Sequence, residues 1–168
     1  MEQKAEIGTG NNIVELSTFY VGDALCGMDI LRVQEINKLL DMTKVPQAPK
    51  YVKGILNLRG QIVTVIDLGR KLGLSLTHRS ADTRNIIVSS KNEYIGLLVD
   101  KIGDVVRTDW DTVEPPPANI GGVQGKYFEG VFKLESSLIG ILNVEAVLKE
   151  EGGDFSDIES NPVSSIMN

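Results

Sequence analysis

The chain has 168 residues, 42% of them apolar, and carries 17 Lys plus Arg against 23 Asp plus Glu for a net charge of −6. Most of that excess lies in residues 149–168, so the body is near neutral and has no basic face for a phosphate backbone, which argues against nucleic-acid binding. One cysteine, Cys26, rules out an internal disulfide, and neither an apolar leader in MEQKAEIGTGNN nor a run of 18 apolar residues is present, so a cytoplasmic protein without membrane insertion is expected.

Residues 1–12 read as a flexible terminus. Short strands are then expected at about 13–20, 24–28, 43–46, 54–58 and 61–67, with Gly, Asn or Asp at the turns. Asp29 is placed to cap a short helix through Ile36. The stretch GILNLRGQIVTVIDL (54–68) joins two apolar runs through Arg59 and Gly60. A hairpin there needs only Gly60 in a left-handed conformation, which leaves Arg59 either solvated at the tip or acting as a charged anchor. A second set of strands follows at about 85–89, 94–99, 104–108, 128–134 and 138–142. Asn143 caps a helix to about Glu151, and 152–168 reads as a flexible acidic tail.

The two sets repeat one another. Residues 54–73 lie over 130–149 without a gap, with Gly54 on Gly130, Leu58 on Leu134, Val65 on Ile141 and Asp67 on Asn143. Residues 25–36 lie over 94–105, with Gly27 on Gly96 and Glu35 on Asp104. A proline element follows each, KVPQAP and VEPPPA, and the change of offset marks an insertion at NIGGVQGKY (119–127). Four elements in one order indicate an internal duplication. The reading is a single mainly β domain over 13–150, with subdomains at about 13–80 and 84–148, too small to be stable apart and so packed together.

The chemistry inventory is thin. His78 is the only histidine and stands in the polar stretch LTHRSADTR; Cys26 lies in an expected strand without a local base. A small hydrolase built on Cys26 and His78 is the reading from another class, and it has little in its favour. One Cys and one His make no metal set, and the glycines form neither a phosphate-cradling loop nor a dinucleotide fingerprint. No cofactor, metal or catalytic site is expected.

The segments GMDILRVQEI, VPQAPKYVKGILNLRGQIVTVIDL, IGLLVDKIGDV, VEPPP and GILNVEAVL together resemble the CheW-type chemotaxis coupling proteins over about residues 13–150. The same motifs occur in the regulatory domain of CheA kinases and in CheV-type adaptors. The resemblance implies two packed five-stranded SH3-like β-barrels with short helices. It implies a non-catalytic scaffold that joins the helical-hairpin signalling tip of chemoreceptors to the CheA histidine kinase regulatory domain, in arrays at the membrane. CheV-type adaptors are further partners it suggests. A close alternative is the same role in a CheA-like pathway controlling pili, surface motility or gene expression. By position in the motifs, Val33, Glu35, Arg59, Ile86 and Val105 would form the receptor groove. Lys53, Glu114 and Asn119 would face the kinase. Thr64 departs from the family, which often has proline there, and Leu25-Cys26 replace a common aromatic residue.

Overall fold

The computed structural model describes residues 12–74 and 79–149. In chain order the strands are β1 (Ile13–Val21), β2 (Ala24–Asp29), β3 (Val33–Lys38), β4 (Val52–Leu58), β5 (Gln61–Asp67), β6 (Arg84–Ser90), β7 (Glu93–Val99), β8 (Lys101–Asp109), β9 (Asn119–Ile120), β10 (Val123–Gln124), β11 (Phe128–Lys133) and β12 (Leu138–Leu142). Two short helices, α1 (Leu68–Lys71) and α2 (Val144–Leu148), follow β5 and β12. Their N-caps are the repeat-equivalent residues: Asp67 accepts from the Arg70 amide and Asn143 from the Ala146 amide. Each side chain satisfies an orphan donor of the first turn.

The strands form two five-stranded sheets, ordered β11-β12-β2-β1-β8 (sheet A) and β3-β6-β7-β5-β4 (sheet B). Both have one topology. An antiparallel hairpin, β11–β12 or β4–β5, lies parallel to the second strand of another hairpin, β1–β2 or β6–β7, and a single antiparallel strand, β8 or β3, completes the far edge. The repeat is therefore a repeat of structure. Its halves, however, do not each make a sheet. Sheet A takes β1 and β2 from before residue 80 and β8, β11 and β12 from after it; sheet B takes the complementary set. A division at residues 80–84 thus fails to separate the sheets, because each half lends its later strands to the other.

Three apolar clusters account for the packing. The largest lies between the sheets and joins Phe19, Val21 and Met28 of sheet A to Ile66, Ile86, Val88, Ile95 and Leu97 of sheet B. On the far face of sheet A sit Val14, Leu16, Ile139 and Ile141, with Val106 from edge strand β8 and Phe132 from edge strand β11. On the far face of sheet B sit Leu56, Val63, Val65, Ile87 and Leu98, with Leu39, just beyond edge strand β3. Each far-face cluster draws on both edges of its sheet, so each sheet curls round its own interior in the manner of an SH3-like barrel. Fully burying a side chain of this size contributes roughly 1.5–3 kcal/mol, which favours two small interiors sharing a third.

Several local expectations change. Residues 43–46 form no strand; only Thr43 pairs, as an isolated bridge to Ile55. That bridge explains Gly54, where a Cβ would stand 2.6 Å from the Thr43 carbonyl oxygen. Its duplicate, Gly130, faces the Glu114 carbonyl oxygen at 2.7 Å. The helix expected from Asp29 to Ile36 is a single 3-10 turn over Ile30–Arg32, after which the chain extends as β3. A bulge in β3 between Val33 and Glu35 places Val33 opposite Val88 and Ile36 opposite Ile86. The two thereby share the strand face of Val88 and Ile86 although they are three residues apart, a spacing that imitates a helix; Val33 packs on the core between the sheets and Ile36 stays 38% exposed. The inserted 119–127 segment is a small hairpin, β9–β10, and it buries Ile120, Val123 and Tyr127 in the core between the sheets. Residues 1–11 and 152–168, expected to be flexible, lie outside the described residues.

Candidate functional site

The β4–β5 hairpin closes through a two-residue turn after the Leu58–Gln61 pair. Arg59 has φ 52 and Gly60 φ 84, so both occupy the left-handed region, as a type I′ turn requires. The expectation that Gly60 alone needs this conformation is corrected: Arg59 shares it, at a cost of roughly 1–2 kcal/mol for an ordinary L-residue. The Gly60 amide donates to Asn57 Oδ1 at 2.9 Å, which braces the turn. The duplicate tip, Glu135-Ser136, has no residue with positive φ. Arginine is thus a poor choice for the turn it occupies, and a reason for it lies elsewhere.

That reason begins with Glu35. The Arg59 guanidinium Nη2 donates to Glu35 Oε1, while Asn37 Nδ2 donates to Glu35 Oε2 at 3.1 Å. The hydrogen bond from Arg59, then that from Asn37, holds the Glu35 carboxyl below its ordinary range, and Glu35 in turn raises Arg59. Strand β3 and the β4–β5 hairpin are opposite edges of sheet B, so this ion pair spans the seam of the barrel. The Arg59 side chain is 73% exposed and that of Glu35 27%, which leaves most of the guanidinium fork to solvent. Beside the pair opens a pocket of about 240 Å³. Leu58, Val63, Ile87 and Tyr94 supply its apolar wall, and Gln34, Glu35, Arg59 and Gln61 its polar wall. An exposed cation next to an apolar recess suits a protein side-chain ligand better than a reaction.

The other candidate groove residues divide. Ile86 is fully buried in the core between the sheets and cannot meet a partner. Its neighbour Ile87 points the other way, into barrel B, and lines the pocket. A run such as NIIVSS carries no alternation, so the sequence gives no phase for the strand. Val33 is half-buried against the core between the sheets. Val105 is 55% exposed on β8, the edge strand of sheet A. Neither lines the pocket beside Arg59. Sequence reasoning missed Asn37, although its place two residues beyond Glu35 on one strand puts both on the same face.

The candidate kinase-facing residues are scattered. Lys53 sits in β4 at a bulge between Val52 and Gly54, half-buried. Glu114 is exposed, pairs with Lys133 Nζ at 3.4 Å and bridges Val131 through its backbone. Asn119 accepts from the Gly122 amide at 3.0 Å and so braces the β9–β10 turn. Cys26 is fully buried, and burial pushes its thiol up to about 12, the opposite of an activated nucleophile. His78 lies outside the described residues. Among the described residues no cluster of His, Cys, Asp or Glu is arranged to hold a metal ion, and no helix is long and apolar enough to cross a membrane.

Comparison with known proteins places this geometry. A family model described as the CheW-like domain matches residues 15–152. A relative named chemotaxis protein CheW, from Treponema pallidum, is 32% identical over 141 residues, covering 82% of this chain and 83% of that protein. The protein of the same name from Bacillus subtilis is 31% identical over 147 residues, covering 88% and 92%. Among solved structures, the scaffolding protein TtCheW from Thermoanaerobacter tengcongensis superposes with a TM-score of 0.76 at 33% identity, covering 84% of this chain and 90% of that one.

Proposed function

Because the chain belongs to the CheW-like domain family of chemotaxis scaffolds, we propose that it acts as a non-catalytic adaptor coupling the signalling tips of chemoreceptors to a CheA histidine kinase. The observation that carries the reading is Arg59. It occupies a strained turn, is locked to Glu35 across the barrel seam, and stands exposed beside an apolar pocket. A receptor tip is a helical hairpin, and a helix binds through apolar anchors flanked by charges that set its register. Ile87, Leu58 and Tyr94 offer such anchors a recess, and Arg59 offers a carboxylate a fork of donors. Val33 and Val105 would extend the contact along the margins of the two sheets. Lys53, Glu114 and Asn119 remain the proposed contacts for the kinase regulatory domain, and none of them lines the pocket beside Arg59. The protein would work in the cytoplasm and join the membrane arrays through its receptor partner, with CheV-type adaptors as further neighbours.

The test is a three-way binding assay of the purified protein with a receptor signalling-tip fragment and a CheA regulatory domain. Simultaneous binding of both supports the adaptor. Binding of kinase alone points to another receptor class, and binding of neither overturns the reading.

A further inference from the structure

The duplication supplies an internal control for the surroundings of Glu35. In barrel B, Asn37 of β3 lies opposite Asn85 of β6. The repeat-equivalent positions in barrel A are Val106 of β8 and Leu16 of β1, which lie opposite one another in the corresponding register. Leu16 belongs to that barrel's interior cluster, with Val106 packed against it. The architecture is therefore satisfied by an apolar pair at this place. Barrel B nevertheless holds an amide pair, with Asn85 only 1% exposed. A glycine faces this place in both barrels: a Cβ at Gly96 would stand 2.4 Å from Asn85 Oδ1, and one at Gly27 3.4 Å from Leu16 Cβ. Both Oδ1 atoms are buried without a hydrogen-bond partner among the described residues, an arrangement that disfavours folding. Residues that cost stability where a neighbouring copy of the fold does without them are serving a site.

The polar companions of that pair are absent from barrel A as well. Glu35 and Arg59 correspond to Asp104 and Glu135, two acids that cannot pair with each other. Amide pair and ion pair thus occur together in one barrel and are missing together in the other. The contact between them is direct, since Asn37 Nδ2 occupies the Glu35 oxygen that Arg59 leaves open. With a donor on each oxygen, the Glu35 carboxylate is braced by Asn37 on one side and turned toward Arg59 on the other.

We propose that Asn37, backed by Asn85, is a positioning residue for the Arg59 anchor. It fixes the Glu35 carboxylate, which holds the guanidinium at the mouth of the pocket. The inference rests on the reading of Arg59 as a partner contact, and its test separates the two. The lowered titration of Glu35, owed in part to Asn37, gives a readout that needs no partner.

Two measurements decide it. Carbon-detected NMR titration of the Glu35 carboxyl in wild type, Asn37→Ala and the double variant Asn37→Val/Asn85→Leu, which copies barrel A, should show its pKa move up in both variants. Affinity for a receptor signalling-tip fragment should fall about fivefold to tenfold in Asn37→Ala. In an Arg59→Ala background, adding Asn37→Ala should change affinity no further. The double variant should melt no lower than wild type, which separates positioning from folding. An unmoved Glu35 titration overturns the proposal, as does an equal loss of affinity in the Arg59→Ala background. If the wild-type protein binds no receptor fragment, the adaptor reading fails while the Glu35 titration still decides the role of Asn37.

Discussion

Replacing Arg59 by Asn should make the protein more stable and less able to bind. Arg59 stands at φ 52 with Gly60 at φ 84, and Asn-Gly is the pair that a two-residue type I′ hairpin favours. Left-handed backbone costs an ordinary L-residue roughly 1–2 kcal/mol, and asparagine tolerates it better through local hydrogen bonding. The substitution should therefore recover on the order of 1 kcal/mol in the turn. The pair with Glu35 is lost, but it joins groups open to water and offsets little of that gain. For a chain of this size, about 1 kcal/mol raises the melting temperature by about 2–4 °C. Calorimetry measures that shift, and affinity for a receptor-tip fragment should fall about tenfold or more if Arg59 is an anchor. Lys91 is a matched control. It opens another two-residue turn, between β6 and β7, with φ 53, so Lys91→Asn should give a similar gain in stability with unchanged affinity. A melting temperature that stays level or drops in Arg59→Asn refutes the argument from strain. Unchanged affinity refutes the anchor.

Three further outcomes follow from packing and burial. Ile86→Ala empties a site in the core between the sheets and should cost about 2–4 kcal/mol in urea unfolding, with affinity per folded molecule retained. Gly54→Ala and Gly130→Ala each drive a methyl group toward a carbonyl oxygen at 2.6–2.7 Å and should each lose about 1–3 kcal/mol, by the same assay. Native Cys26 should resist thiol reagents at pH 8 and react only on unfolding, since its thiol is held up to about 12. The unfolded thiol ionises near 9.0, so this group favours the native state fully below that pH. Its contribution falls as pH rises from there toward 12, a loss that Cys26→Ser should remove from the stability profile.

The hairpins of the two five-stranded sheets were legible because each is written in consecutive residues, whereas the β9–β10 hairpin read only as an insertion. NLRGQ, SKNE and the VGDA turn stand between apolar runs, and Asp67 and Asn143 announce the helices that they cap. Strand β3 was hidden by its bulge, which puts Val33 and Ile36 on one face at a helical spacing. Ile86 was misplaced for a related reason, since an unbroken apolar strand can be buried in either phase. Arg59 and Glu35 could be singled out by their motifs, but their meeting across the seam of a curled sheet depends on which hairpins share that sheet. No local pattern contains that information. Asn37 needed the structure, because its significance comes from the carboxylate oxygen that it occupies and from the valine standing in its place in the other barrel.

The exchange of strands between the two halves also bears on how the molecule comes into being. Within the first five strands, only the β1–β2 and β4–β5 hairpins can form; every pairing that links hairpins or adds an edge strand joins that half to the second. Isolated hairpins are at best marginal in water. A nascent chain leaving the ribosome through residue 74 therefore has nothing on which to settle. Sheet B can close once β7 has emerged, whereas sheet A must wait for β12, almost at the end of the described chain. Assembly is then late, concerted and dominated by distant contacts, which predicts slow folding. By the same logic, two fragments cut in the 79–82 connection would each be unstructured alone and should restore the fold when mixed.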